Sequence, residues 1–92
     1  ELNYVVRREI PGPGTRMNDG KCDPFGSFWV GSMALDETPG SGSLYRMTID
    51  GKIRRVLSGV SVSNGLAWSG RELYYIDSPL RRVDRFELDD EG

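Results

Sequence analysis

The chain of 92 residues carries 12 Lys+Arg against 14 Asp+Glu, a formal net charge of −2, and its basic residues are scattered, which argues against nucleic acid or an anionic membrane as a partner. No apolar run approaches the roughly 18 residues of a membrane span, and residues 1–8 lack the apolar core of a signal peptide, so the cytoplasm is the favoured compartment. One cysteine and no histidine exclude an internal disulfide, a Cys/His zinc cluster and the Ser-His or Cys-His routes to a nucleophile, leaving a metal and carboxylates for any hydrolysis.

In chain order, the β-rich runs are Tyr4–Ile10, Thr15–Cys22, Ser27–Ala34, Ser43–Ile49, Lys52–Leu57, Gly65–Ser69, Glu72–Ser78 and Arg82–Leu88. Gly, Pro, Ser and Asp separate them, and no helical apolar period lasts longer than two turns, so the chain reads as all-β. Cys22, between Lys21 and Asp23, reads as a small buried or half-buried thiol. Asp36–Gly42 is a Gly/Pro/Ser-rich loop and the one candidate for a movable lid. Asp50-Gly51 predicts a hairpin with a type I′ turn. Phe28-Trp29-Val30 and Leu73-Tyr74-Tyr75-Ile76 are apolar on consecutive positions, so both faces of these strands are expected to be covered by protein.

An internal repeat organises these runs. Asn18-Asp19-Gly20, Phe28-Trp29-Val30 and Leu44-Tyr45-Arg46-Met47 are echoed by Ser63-Asn64-Gly65, Tyr74-Tyr75-Ile76 and Val83-Asp84-Arg85-Phe86. A period of about 40–50 residues with four strands per unit is the sign of β-propeller blades, and an ordinary β-sandwich is the alternative that spacing alone leaves open. The expected architecture is two four-stranded antiparallel blades, an incomplete propeller in one chain. Blade one takes about residues 11–59 and blade two about 60–92, with strand 4–10 completing a neighbouring blade. Two such blades leave two outer faces of roughly 350 Å² each, more apolar surface than a monomer usually exposes. The chain is therefore expected to be part of a longer one or a homo-oligomer, with three copies supplying six blades.

Two long motifs add a family resemblance. Arg16-Met17-Asn18-Asp19-Gly20-Lys21-Cys22-Asp23-Pro24 with Phe28-Trp29-Val30-Gly31-Ser32-Met33 resembles the R-x-N-D-G-K-x-D-P and W-x-G-T-M segment of the gluconolactonase/regucalcin (senescence marker protein) family. Ser63-Asn64-Gly65-Leu66 with Tyr74-Tyr75-Ile76-Asp77-Ser78 is similar to that family's S-N-G-L and Y-Y-x-D-S. The resemblance implies a six-bladed propeller holding one divalent metal, calcium or zinc, bound by a Glu, an Asn and an Asp. Only the Asn has a match, at Asn64, where an amide oxygen suits a hard cation; without the motif around it, Asn64-Gly65 reads as a turn. The resemblance gives Arg16 and Asn18 to binding a lactone or sugar-like substrate. Asp36 or Glu37 is a weaker match to an acidic substrate contact. Asp19 and Asp77 read as braces for loop backbone, and Trp29, Trp68, Tyr74 and Tyr75 as packing between blades. The implied activity is a segment of a metal-dependent sugar-lactone hydrolase, a carboxylic ester hydrolase, incomplete because two metal ligands have no counterpart. The alternatives are a non-catalytic ligand-binding or structural module that self-assembles, and a fragment with no independent role.

Overall fold

The computed structural model describes residues 14–88. The predicted strand Tyr4–Ile10 lies outside them. The described residues form seven strands: β1 (Thr15–Cys22), β2 (Phe28–Ala34), β3 (Gly42–Met47), β4 (Ile53–Val60), β5 (Ser63–Ser69), β6 (Glu72–Asp77) and β7 (Val83–Glu87), with a 3₁₀ turn over Ser78–Leu80. They form two antiparallel meanders, β1-β2-β3-β4 and β5-β6-β7. Among the described residues no helix is long and apolar enough to cross a membrane.

One layer of side chains joins the two sheets. Residues directly opposite in an antiparallel ladder share a face, so Trp29 lies beside Arg46, and Gly31 beside Leu44 and Leu57, on one side of the first sheet. Leu73 lies between Trp68 and Phe86, and Tyr75 beside Leu66, on the facing side of the second. These sides close into a core of Trp29, Leu44, Val60, Leu66, Leu73, Tyr75 and Leu88. The Trp29 and Trp68 rings meet tilted at 55°, with centroids 5.9 Å apart. Each large side chain buried there contributes about 1.5–3 kcal/mol of apolar transfer.

The expectation that both faces of β2 and β6 are covered is met on one face only. Trp29, Leu73 and Tyr75 are buried, whereas Phe28, Val30, Tyr74 and Ile76 are half-buried. The described residues hold one contact between sheets, and the opposite side of β1–β4 keeps Met17, Phe28, Val30, Tyr45, Met47 and Ile53 partly open to solvent. Cys22 departs from expectation in the same way: it is exposed, not a core thiol.

The β3–β4 hairpin forms, but with a different turn. Thr48 and Lys52 are joined through N–H to O at 2.9 Å, and Gly51 N–H returns to Thr48 O at 2.9 Å. Three residues therefore make the loop. Only Gly51 is left-handed, at φ 85°, whereas a type I′ turn needs Asp50 left-handed as well.

The ladders also adjust the repeat. Phe28 pairs with Met47, and Leu73 with Phe86. Phe28-Trp29-Val30 thus corresponds to Leu73-Tyr74-Tyr75, one position earlier than the apolar patterns alone align. Leu44-Tyr45-Arg46-Met47 corresponds to Val83-Asp84-Arg85-Phe86 as the sequence indicates.

Candidate site at the inner strand ends

Strands β1 and β5 are the starting edges of their sheets and lie side by side. Both carry a bulge at the Asn position of the repeat. In β1 the register shifts between Met17 and Gly20, so Asn18 and Asp19 both stand opposite Gly31. In β5 it shifts between Asn64 and Leu66, leaving Gly65 as the extra residue. Gly65 has φ 50°, and a Cβ there would meet Ile76 Cδ1 at 2.9 Å, so conformation and space both require glycine. Bulges turn side chains out of the regular alternation, which frees Asn18, Asp19 and Asn64 to bond between strands.

Asn18 Nδ2 donates to the Ser63 carbonyl at 2.6 Å. Arg16 Nη1 donates to Asn18 Oδ1 at 3.2 Å and to the Met17 carbonyl at 3.1 Å. Asp19 accepts from Gly20 N–H at 3.0 Å and, across the sheets, from Gly65 N–H at 2.9 Å. Asn64 Oδ1 accepts from Gly65 N–H at 3.0 Å, and its Nδ2 donates to Ser78 Oγ at 3.2 Å. Arg16 and Asn64 are exposed and Asn18 is half-buried. The three residues singled out in the sequence therefore stand on adjacent strand ends, and Asn18 reaches the residue preceding Asn64.

Beneath this rim the sheets approach closely. A Cβ on Gly31 would lie 1.7 Å from Ser63 Oγ and 2.1 Å from Ser63 Cβ. Ser63 is fully buried, and its Oγ accepts from Tyr75 OH at 2.6 Å. Burial foremost, and the nearby Asp77 charge, raise the Tyr75 pKa, against the opposing pull of its bond to Ser63. Asp77 is buried and braces the crossover between sheets, accepting from Ser61 N–H at 3.0 Å and Val62 N–H at 2.8 Å.

Asp23, which the sequence places in the first motif without a role, is a structural carboxylate. Asp23 accepts from Trp29 Nε1 at 2.8 Å, Phe25 N–H at 2.8 Å and Ser27 N–H at 3.0 Å. Burial opposes its charge, but these bonds and the Arg46 guanidinium prevail and hold its pKa below the usual carboxylate range. Asp36 and Glu37 are exposed; Asp36 accepts from both N–H and Oγ1 of Thr38 within the loop. Trp29 and Tyr75 pack between the sheets, whereas Tyr74 lies on the opposite face and donates to Glu72 at 2.7 Å.

The rim offers a guanidinium, two amides and a hydroxyl, a set suited to sugar hydroxyls and carbonyl oxygens. It does not make up a metal site. Asn64 brings one neutral oxygen already shared with Gly65 N–H, Asp19 and Asp77 are committed to backbone N–H groups, and no group of three His, Cys, Asp or Glu stands together among the described residues.

The model of the SMP-30/gluconolactonase/LRE-like family matches residues 1–92. The chain belongs to this family. Regucalcin of Danio rerio is 43% identical over 81 residues, covering 84% of this chain and 28% of its own length. A luciferin-regenerating enzyme superposes at a TM-score of 0.79 with 44% identity, over 85% of this chain and 27% of that one. Regucalcin from Agrobacterium tumefaciens, a calcium-binding protein, superposes at 0.79 with 34% identity, over 84% and 26%. The chain thus spans about a quarter of these relatives' length, and its two sheets are blades of their propeller type.

Proposed function

We infer that this SMP-30/gluconolactonase-like chain is a segment of a sugar-lactone hydrolase, supplying substrate-orienting groups and one neutral metal ligand. The observation that carries this reading is the convergence of Arg16, Asn18 and Asn64 at neighbouring strand ends, joined through Asn18 and the Ser63 carbonyl. Arg16 would donate to the ring hydroxyls or carbonyl of the lactone, and Asn18 would keep the guanidinium in place through Oδ1. Asn64 would present its amide oxygen to a calcium or zinc ion whose charge must be met by carboxylates outside the described residues. Held there, such an ion would supply Lewis-acid polarisation of the lactone carbonyl. By this reading the 92-residue chain alone turns a lactone over slowly, and only with metal present.

A second reading, a non-catalytic module that holds a small polar ligand, is favoured by the hydrogen-bonding groups of the rim, beside which the described residues place no carboxylate cluster. Lactone hydrolysis with and without added calcium, zinc or manganese, alongside calorimetric titration of a sugar lactone, separates the two. A metal-dependent rate that drops on Asn64→Ala supports the hydrolase segment. Binding lost on Arg16→Ala, with no rate above buffer, supports the module. Neither rate nor binding overturns both.

A further inference from the structure

Asn64-Gly65 is the one Asn-Gly pair of the sequence, and the two residue types together have a chemistry of their own. A glycine after asparagine leaves the backbone nitrogen unshielded by any Cβ, which lets that nitrogen attack the side-chain amide. The N–Cγ bond forms, the Cγ–Nδ2 bond breaks, and the proton of the Gly65 N–H leaves with Nδ2 as ammonia. A water then opens the succinimide ring at either of its C–N bonds, giving aspartate or isoaspartate. Water enters, ammonia leaves, and nothing is oxidised or reduced.

Asn64 is exposed, so water reaches it. Gly65 is the extra residue of the β5 bulge, outside the register with β6. The pair is nonetheless not free to close the ring. Gly65 N–H points at Asn64 Oδ1 at 3.0 Å and at the Asp19 carboxylate at 2.9 Å. A nitrogen bonded in this way directs its proton, not its electron pair, at the side chain, and it meets the amide oxygen instead of Cγ. Closure requires that proton to leave and the amide plane to turn. Asp19 opposes the first, because it holds the proton and its charge opposes the negative charge that builds on the nitrogen. Ser78 opposes the second, because its Oγ accepts from Asn64 Nδ2 at 3.2 Å and fixes the amide plane.

We propose that Asn64 is a guarded deamidation site, at which the Asp19 carboxylate and the Ser78 hydroxyl keep the side-chain amide from the Gly65 nitrogen. The chemistry needs neither a lactone nor a metal, only water. The two guards differ in origin. Ser78 directly follows β6, in the same sheet as Asn64, whereas Asp19 lies 46 residues from Gly65, in β1. The Asp19 bond therefore exists only while the two sheets are docked, and a local opening that parts β1 from β5 removes it without unfolding either sheet. Conversion changes the rim. Aspartate puts a negative charge where a neutral amide stood, beside the Asp19 carboxylate. Isoaspartate also adds a backbone carbon to β5, immediately after Ser63, whose carbonyl holds Asn18 at 2.6 Å. Either product disturbs the strand ends that bring Arg16, Asn18 and Asn64 together.

The test incubates the 92-residue chain at mildly alkaline pH, with circular dichroism for folding. Conversion of residue 64 is read by peptide mass mapping, as the mass gained when NH2 is exchanged for OH, and by labelling with an isoaspartyl methyltransferase. Denatured in guanidinium, the chain should convert Asn64 at least about tenfold faster than when folded. Asp19→Ala should convert about tenfold faster than wild type and Ser78→Ala about threefold faster, as expected for loss of a charged and a neutral hydrogen bond. Ser78 is exposed and its backbone bonds survive the change, so Ser78→Ala decides alone if Asp19→Ala unfolds. Asp23→Ala, which loosens the turn after β1 without touching these bonds, should stay at the wild-type rate. Three results overturn the proposal: a wild type that converts as fast folded as denatured, a folded Asp19→Ala or Ser78→Ala no faster than wild type, or an Asp23→Ala chain accelerated as much as they are.

Discussion

Replacing Gly31 by alanine tests whether the inner edges of the two sheets are set by one close approach. The added methyl would fall 1.7 Å from Ser63 Oγ and 2.1 Å from Ser63 Cβ, with Ser63 Cα next at 3.5 Å. Ser63 has no room to yield, because it is fully buried and holds Tyr75 OH at 2.6 Å. Either the sheets part or the serine turns away and loses that bond. Overpacking costs about 1–3 kcal/mol, and a buried hydroxyl left unpaired about 1–3 kcal/mol more. The sum, about 2–6 kcal/mol, is a large share of the 5–15 kcal/mol that keeps a typical domain folded. Ser63→Gly removes both clashing atoms and leaves an ordinary 3.5 Å contact. Gly31→Ala/Ser63→Gly should therefore be no less stable than Ser63→Gly alone, a non-additivity of about 2 kcal/mol or more. Urea titration followed by the fluorescence of Trp29 and Trp68, which meet between the sheets, reads all three variants. A Gly31→Ala chain within about 0.5 kcal/mol of wild type, or strictly additive costs in the double variant, would mean that this approach does not set the spacing of the sheets.

Asp23→Ala leaves the Trp29 indole N–H and two backbone donors without their carboxylate and should cost about 3 kcal/mol in denaturant titration. The folded pKa of Asp23 is depressed, so its contribution is present above the unfolded value near 4 and lost as pH falls through the folded one; the gap between wild type and Asp23→Asn should narrow in acid. Tyr75 is the opposite case, with a folded pKa raised mainly by burial. Its stabilisation is complete below about pH 10 and lost as pH rises through the folded value, so wild type should lose stability in alkali relative to Tyr75→Phe. Gly65→Ala meets both a φ of 50° and the Ile76 side chain and should destabilise by about 1–3 kcal/mol in thermal unfolding.

The strands were legible because their runs of Val, Ile, Tyr, Phe and Trp are bounded by Gly, Pro and Asp, and the repeat made their order legible too. The turn after Thr48 was not, since Asp-Gly serves a two-residue loop and the closing half of a three-residue loop equally well. Only the ladder pairing decides between them. The exposure of Cys22 and the half-open faces of Phe28 and Tyr74 escaped for another reason: apolar patterns report what a strand can bury, and the described chain supplies one neighbouring sheet. At the rim, Arg16, Asn18 and Asn64 were found through motif resemblance, whereas the close approach of Gly31 to Ser63 was missed. A signal was nonetheless present. Asn18 to Ser63 and Asp19 to Gly65 are 45 and 46 residues apart, close to the repeat spacing, so the repeat itself pointed to residues that meet between successive inner strands.

The contact of Gly31 with Ser63 also has a bearing on curvature. The sheets touch backbone against side chain at their inner ends and part toward β4 and β7, where the cleft of about 240 Å³ opens. They form a wedge, and the wedge angle fixes how far each successive sheet rotates about a common axis. A smaller inner gap tightens the arc; a wider one flattens it. The absence of a single methyl at position 31 thus helps set the circumference of any closed assembly built from these sheets.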